Sequence, residues 1–173
     1  MLRWYCLFAC LYLFLNAALA HAERAEIIPD LLHVHPGAIR AALRAIPALY
    51  CVTENERAIK CRYADKSLAD LVDSPEIPLG EKLSGWVAAN RTAIWNSDAS
   101  LDLPAHVAKR ADVALGSSVP LVEGDVLVGA LTIYCNAGVE IAVEQRLLIQ
   151  SITPLLTSAV SSSTADRKST RLN

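Results

Sequence analysis

A chain of 173 residues, 53% of them apolar, supports one buried core with an appendage and does not require a second domain. Its 16 basic and 18 acidic residues are interspersed and leave a formal charge of −2, which provides no concentrated positive field for nucleic acid and no polybasic segment for an anionic membrane surface. The cysteines, Cys6, Cys10, Cys51, Cys61 and Cys135, are odd in number and include no C-x-x-C pair; this argues against a zinc site or a disulfide framework and for reduced, mostly buried thiols.

In chain order, Trp4 to Ala22 is apolar except for Asn16 and His21 and matches the ~20 residues that span a bilayer as a helix. The same stretch has a basic start and small residues at Ala18, Ala20 and Ala22, which also fits a secretory signal peptide with a cleavage site before Glu23. Residues 1–22 are therefore a membrane helix or a signal-like segment, and residues 23–35 a connector. Pro36 suits the first turn of a helix carrying Ile39, Leu43 and Ile46, which Pro47 stops. Ala48 to Glu54 and Ala58 to Ala64 read as a hairpin, with Ile59, Cys61 and Tyr63 alternating against Lys60 and Arg62. Asp65 to Pro78 reads as a loop with a helical turn around Ser67 to Val72.

Leu83 to Asn90 is a short helix with Leu83, Trp86 and Val87 inward, followed by a strand from Thr92 to Trp95. Asn96, Ser97, Asp98 and Ser100 then cluster as a turn, because such side chains bond their own backbone. Pro104 to Asp112 is a helical turn covering this loop. Leu115 to Val122 and Val126 to Cys135 form a hairpin through Glu123-Gly124-Asp125. Both faces of the second strand are apolar, which calls for helices on one side and a loop-built cap on the other. Glu140 to Ser163 is a long helix with a kink or break expected near Ile152 from Pro154. Asp166 to Asn173 looks like the conceptual translation of a sequencing adapter, so the native domain is expected over residues 36–165.

The residues offer no nucleophile with its base, no carboxylate pair and no metal set at usable spacing, so the chain is not expected to be an enzyme and no metal ligand is assigned. His33-Val34-His35 lacks a third ligand, and His106 reads as a surface histidine of the covering turn. Cys51, Cys61 and Cys135 fall on strands, where packing is their expected role.

The Pro78-Leu79-Gly80 and Ser84-Gly85-Trp86-Val87-Ala88-Ala89 runs, the Asn96-Ser97-Asp98 loop, the Ser118-Val119-Pro120-Leu121 strand opening and Val128-Gly129-Ala130-Leu131 together resemble a GAF domain, over roughly Ile39 to Val160. The resemblance implies an α+β fold: a central antiparallel sheet with terminal helices packed on one face and a loop-covered pocket on the other. A small-molecule ligand would sit among Trp86, Trp95, Asn96, Asp98 and Ser117, its identity and any cofactor being unknown. The Asn-Lys, Phe and Asp-Glu signature of cyclic-GMP-binding members is only begun at Asn90-Arg91 and then missing. Such modules imply a sensory or regulatory role, a homodimer through the terminal helices, and an output domain beyond this chain. The wording looks most like GAF domains that precede bacterial diguanylate cyclase domains. The expected placement is membrane-anchored with the domain cytoplasmic, or soluble after signal-peptide cleavage. Two alternatives stay open, a ligand-free dimerisation module and a freestanding enzyme of methionine sulfoxide reductase type.

Overall fold

Six strands, β1 (Ala45–Val52), β2 (Ala58–Ala64), β3 (Ile77–Pro78), β4 (Ile94–Asp98), β5 (Leu115–Glu123) and β6 (Val126–Cys135), form one antiparallel sheet in the order β3-β2-β1-β6-β5-β4. The helices are α1 (Asp70–Asp73), α2 (Lys82–Asn90), α3 (Ala105–Ala111) and α4 (Val143–Thr170), with single 3-10 turns at Lys66–Leu68 and Ala99–Leu101. The computed structural model describes residues 45–53 and 55–170, with side chains as far as residue 162. The Trp4–Ala22 stretch, the connector and most of the helix expected from Pro36 lie outside the described residues. Among the described residues no helix is long and apolar enough to cross a membrane.

The two faces of the sheet bury separate cores, because strand side chains alternate. On one face Ile46, Ala48 and Tyr50 of β1 join Ile59 and Cys61 of β2 and Ala130 and Tyr134 of β6, roofed by Leu68, Leu71, Ala88, Leu103 and Val107 from the connecting segments. On the other, Leu49, Val119, Leu121, Leu131, Ile133 and Cys135 pack with Ile149 and Val160 of α4. We call these the covered face and the helix face. Both are apolar, as the composition of β6 required.

Pro47 departs from the sequence reading. Ala45 to Pro47 belong to β1 and not to a preceding helix. The Pro47 carbonyl accepts from the Asp65 N–H at 3.2 Å, so the polar edge of this residue faces the end of β2, just beyond the Ala48↔Ala64 pair where that pairing starts. A proline is tolerated there because its missing N–H falls outside the ladder.

Bulges shift three other side chains. Leu49 opposes Tyr63 and Tyr50 opposes Cys61, so Arg62 is the extra residue, and Tyr63 packs with the helix-face core while Ile59 and Cys61 stay on the covered face. The β5–β6 register likewise slips at Leu121/Val122, which turns Leu127 to the covered face and Val128 to the helix face. A strict period of two cannot survive an inserted residue.

Helix α2 lies close against β3. A Cβ on Gly85 would stand 2.5 Å from the Pro78 carbonyl oxygen and 2.9 Å from Ile77 Cγ2, so the middle residue of Ser84-Gly85-Trp86 allows helix and strand backbones to touch. Helix α4 runs through Pro154 without a break. Gln150 and Pro154 are both exposed, so the carbonyl that loses its donor at the proline faces water.

Candidate functional site

Helix α2 starts after Glu81, whose side chain makes no cap bond, leaving the first-turn N–H groups in need of acceptors. One comes from a distant segment. Asp102, at the end of the 3-10 turn that leaves β4, accepts from the Ser84 N–H through Oδ1 at 3.0 Å. Its other oxygen accepts from the Ser84 hydroxyl and from the Tyr134 hydroxyl, the latter at 3.0 Å. A carboxylate at this helix end also suits the positive pole of the helix.

Two chains of hydroxyls converge on this carboxyl. Since Ser84 spends its one proton on Asp102, Thr132 Oγ1, 2.6 Å away, donates to Ser84 Oγ, and Ser118, 2.9 Å from Thr132, donates in turn to it. By the same reasoning Tyr134 donates to Asp102, and Tyr50, 3.1 Å off, donates to Tyr134. Ser84, Ser118, Thr132 and Tyr134 are fully buried and Tyr50 and Asp102 nearly so. The cluster joins four pieces of the fold: covering segment, α2, the β5–β6 hairpin and β1. Burial, with the Asp102 charge adding to it, holds the Tyr50 and Tyr134 phenols well above their ordinary range, so both remain neutral donors. Such an arrangement is a polar clasp beneath a cover, and a ligand offering donors of its own would compete with Ser84 and Tyr134 for the carboxyl.

The five residues expected to line one pocket do not meet there. Trp86 is 40% exposed on the outer side of α2, whose buried positions are Leu83, Ser84, Gly85, Val87 and Ala88. Asp98 is exposed and caps the 3-10 turn, accepting from the Ser100 N–H at 2.8 Å; its hydrogen bonds with Ser100 hold the carboxyl below its usual range. Trp95, Asn96 and Ser117 do come together, but on the helix face. Ser117 opposes Ile133, Trp95 packs with the helix-face core, and Asn96 bonds both Ser117 and Ile141. The β4–β5 register breaks between Ile94 and Ser97, and that bulge decides where Trp95 and Asn96 point. Asn96 and Ser97, expected in a turn, are strand residues.

The clasp residues escaped the sequence reading, although part of the signal was present. Thr132 and Tyr134 fall on one face by alternation, and Ser118 opposes Thr132. What joins them to Asp102 is a contact over 32 residues to a position that reads as loop.

His106 is exposed on α3, and among the described residues no three His, Cys, Asp or Glu side chains come together as a metal set. His33 and His35 lie outside the described residues. Burial pushes the Cys61 thiol from 9.0 up to about 12 and Cys135 up to about 11. Below pH 9 both folded and unfolded chains keep these protons, so the thiols leave stability flat. Above it the unfolded chain loses protons that the folded chain retains, and stability falls with rising pH until the folded thiols also ionise. Urea unfolding at a series of pH values is therefore expected to give a constant stability from pH 7 to 9 and a decline between about 9 and 12, shallower in a Cys61→Ala chain than in the parent.

No family model and no curated protein matches this chain. Solved structures do. The GAF domain of a phosphoenolpyruvate-protein phosphotransferase from Coxiella burnetii is 18% identical with a TM-score of 0.73, over 89% of this chain and 94% of that one. Its counterpart from Acinetobacter is 14% identical with a TM-score of 0.70, over 89% and 94%. Free methionine-R-sulfoxide reductase from Neisseria meningitidis, solved with its substrate, is 14% identical with a TM-score of 0.66, over 88% and 86%. The fold is thus that of the GAF domains, as the sequence motifs implied. The expectation of a chain without catalytic function is overturned by the third match and by further reductases of that type, because the same fold carries enzymes and so leaves catalysis open.

Proposed function

From the GAF fold as premise, we propose that this chain is a sensory and regulatory module, in which the covered face takes a small ligand and the last helix, α4, carries the resulting state onward. The observation that supports the reading is the Asp102 clasp. A carboxyl and five hydroxyl-bearing side chains are buried beneath a segment that connects β4 to β5, and their mutual bonds are the kind that a polar ligand can exchange for its own. A fold that needed only an apolar core would gain little from them, since buried polar groups contribute modestly when paired and cost much when not. In the same reading the chain is tethered by Trp4–Ala22 with the domain on the cytoplasmic side, pairs with a second copy through its terminal helices, and governs an output domain of diguanylate cyclase type. The exposed Val143 and Leu147 on α4 are apolar surface suited to such pairing.

The test is thermal unfolding of the full chain with cyclic nucleotides, free amino acids and free methionine-R-sulfoxide. A ligand of the covered face at a hundred times its dissociation constant adds about 2.7 kcal/mol, which a shift of several degrees reports. The shift is expected in the parent and lost in Asp102→Asn. If no member of the panel moves the parent, sensing by this face fails and ligand-free association takes its place. The reductase neighbours support a second reading, which the same samples decide by assaying loss of free methionine-R-sulfoxide with a dithiol reductant.

A further inference from the structure

We infer that Asn96 is a positioning residue that ties the covered face of the sheet to the entry of α4, so that loosening of the covering segment reaches the Ile141 amide through the Asn96 carboxamide. Asn96 sits in the β4 bulge with φ +54°, a left-handed conformation that asparagine accepts more readily than most residues. Its own N–H is taken by the Ser117 hydroxyl at 2.8 Å. Its carboxamide meets the backbone of Ile141 in both directions: Oδ1 accepts from the Ile141 N–H at 2.8 Å, and more distantly from the Ser117 hydroxyl at 3.4 Å, while Nδ2 donates to the Ile141 carbonyl at 3.2 Å. This reproduces one rung of strand pairing with a side chain.

Ile141 is the anchor of the α4 entry. It is fully buried in the helix-face core, and its carbonyl also accepts from Arg146 Nε at 3.2 Å. The Arg146 guanidinium lies 5.6 Å from the centroid of the Trp95 ring, so the residue beside Asn96 holds the same turn from a second direction. Gln145 closes the helix start by accepting from the Ala142 N–H at 2.9 Å.

In the other direction the chain leaves Asn96 for the clasp within a few residues. Asp98 caps the 3-10 turn, the Asp102 and Leu103 N–H groups return to the Ala99 carbonyl at 3.1 and 2.9 Å, and Asp102 grips Ser84 and Tyr134 on the covered face. Any displacement of Asp102 thus acts on β4, whose bulge is where Asn96 holds Ile141. The inference deepens the sensing reading by naming a route from its site to α4. It is tested without a ligand, so its failure and the failure of that reading are separate results.

Hydrogen exchange of the full chain, resolved by residue, forms the test as a double-mutant cycle. Ser84→Ala removes one hydroxyl from the clasp and is expected to speed exchange of the Asp102 and Leu103 amides roughly tenfold, the factor carried by one hydrogen bond. With Asn96 in place, the Ile141 and Arg146 amides are expected to speed up as well. Asn96→Gly keeps the positive φ but removes the carboxamide; it is expected to speed the Ile141 amide alone roughly tenfold, and adding Ser84→Ala is then expected to change nothing further there. A merely structural role would give additive effects. The inference is overturned if Ser84→Ala leaves the cover amides unchanged, if it leaves the α4-entry amides unchanged, or if it affects them equally with and without Asn96. Should Asn96→Gly lose its circular dichroism, Asn96→Asp takes its place in the cycle: it keeps the acceptor for the Ile141 N–H but sets an oxygen against the Ile141 carbonyl where Nδ2 donates, so the effect of Ser84→Ala on the α4-entry amides is expected to shrink, and an effect as large as with Asn96 in place overturns the inference.

Discussion

Gly129→Ala is expected to destabilise the chain by about 3 kcal/mol or more, a large part of the 5–15 kcal/mol, roughly, that a domain has in total. Gly129 lies in β6 between Cys51 of β1 and Leu121 of β5. A Cβ there would stand 2.0 Å from the Tyr50 carbonyl oxygen, 3.0 Å from the Tyr50 carbonyl carbon and 3.1 Å from Cys51 Cα. All three are backbone atoms of the neighbouring strand, so no side chain can turn aside. The two central strands would have to part where their pairing ends at Cys51, and Tyr50 would be drawn away from Tyr134. Gly116→Ala is the matched control. It adds the same methyl to the adjoining strand, but its nearest neighbour is Leu83 Cδ2 at 3.1 Å, the tip of a side chain that can rotate, and about 1 kcal/mol is expected. Urea unfolding midpoints for the two variants decide the matter. Equal losses would mean that the close approach of β1 to β6 does not govern this position.

The same glycine shows what the sequence carries and what it does not. Val128-Gly129-Ala130-Leu131 belongs to the pattern that resembles GAF domains, yet nothing local explains why its second residue lacks a side chain. The reason is the backbone of Tyr50, 79 residues earlier. Elements bounded by local signals were legible: β2 and β6 occupy the residues that alternation indicated, and α2 closely follows the span read from its own residues. Features set by partners across the sheet were not. The bulges at Arg62, at Val128 and at Trp95–Asn96 arise from how two strands meet, and each reassigns neighbouring side chains to the other face. Trp86 misled for a simpler reason. An aromatic on a short helix reads as core, but the sheet-facing positions of α2 are occupied by small and aliphatic residues, whose closeness to β3 leaves no room for an indole. Of the candidate site, three residues were found for the wrong face. Of these, Asn96 and Trp95 hold the entry of α4, and Ser117 holds Asn96.

Asp102→Ala is expected to cost about 2–5 kcal/mol, despite removing only one small side chain from a position that reads as loop. The loss follows from the donors left behind. Ser84 N–H, the Ser84 hydroxyl and the Tyr134 hydroxyl all point at this carboxyl from sites sealed off from water. The Ser84 hydroxyl can turn toward Thr132 only if Thr132 and Ser118 reverse their own protons, and Tyr134 can turn toward Tyr50 only if Tyr50 finds another acceptor. The Ser84 N–H has no such freedom, since it is fixed by the helix. Asp102→Asn separates the contributions. Its oxygen can still accept from the Ser84 N–H, while its NH2 meets two hydroxyls that donate toward it, so an intermediate loss is expected and the fold is retained for the ligand panel. Unfolding by urea, with tryptophan fluorescence and circular dichroism followed together, measures all three chains. An Asp102→Ala chain as stable as the parent would mean that water or a rearranged hydroxyl chain satisfies those donors, and the clasp would then not be what closes the cover over the sheet.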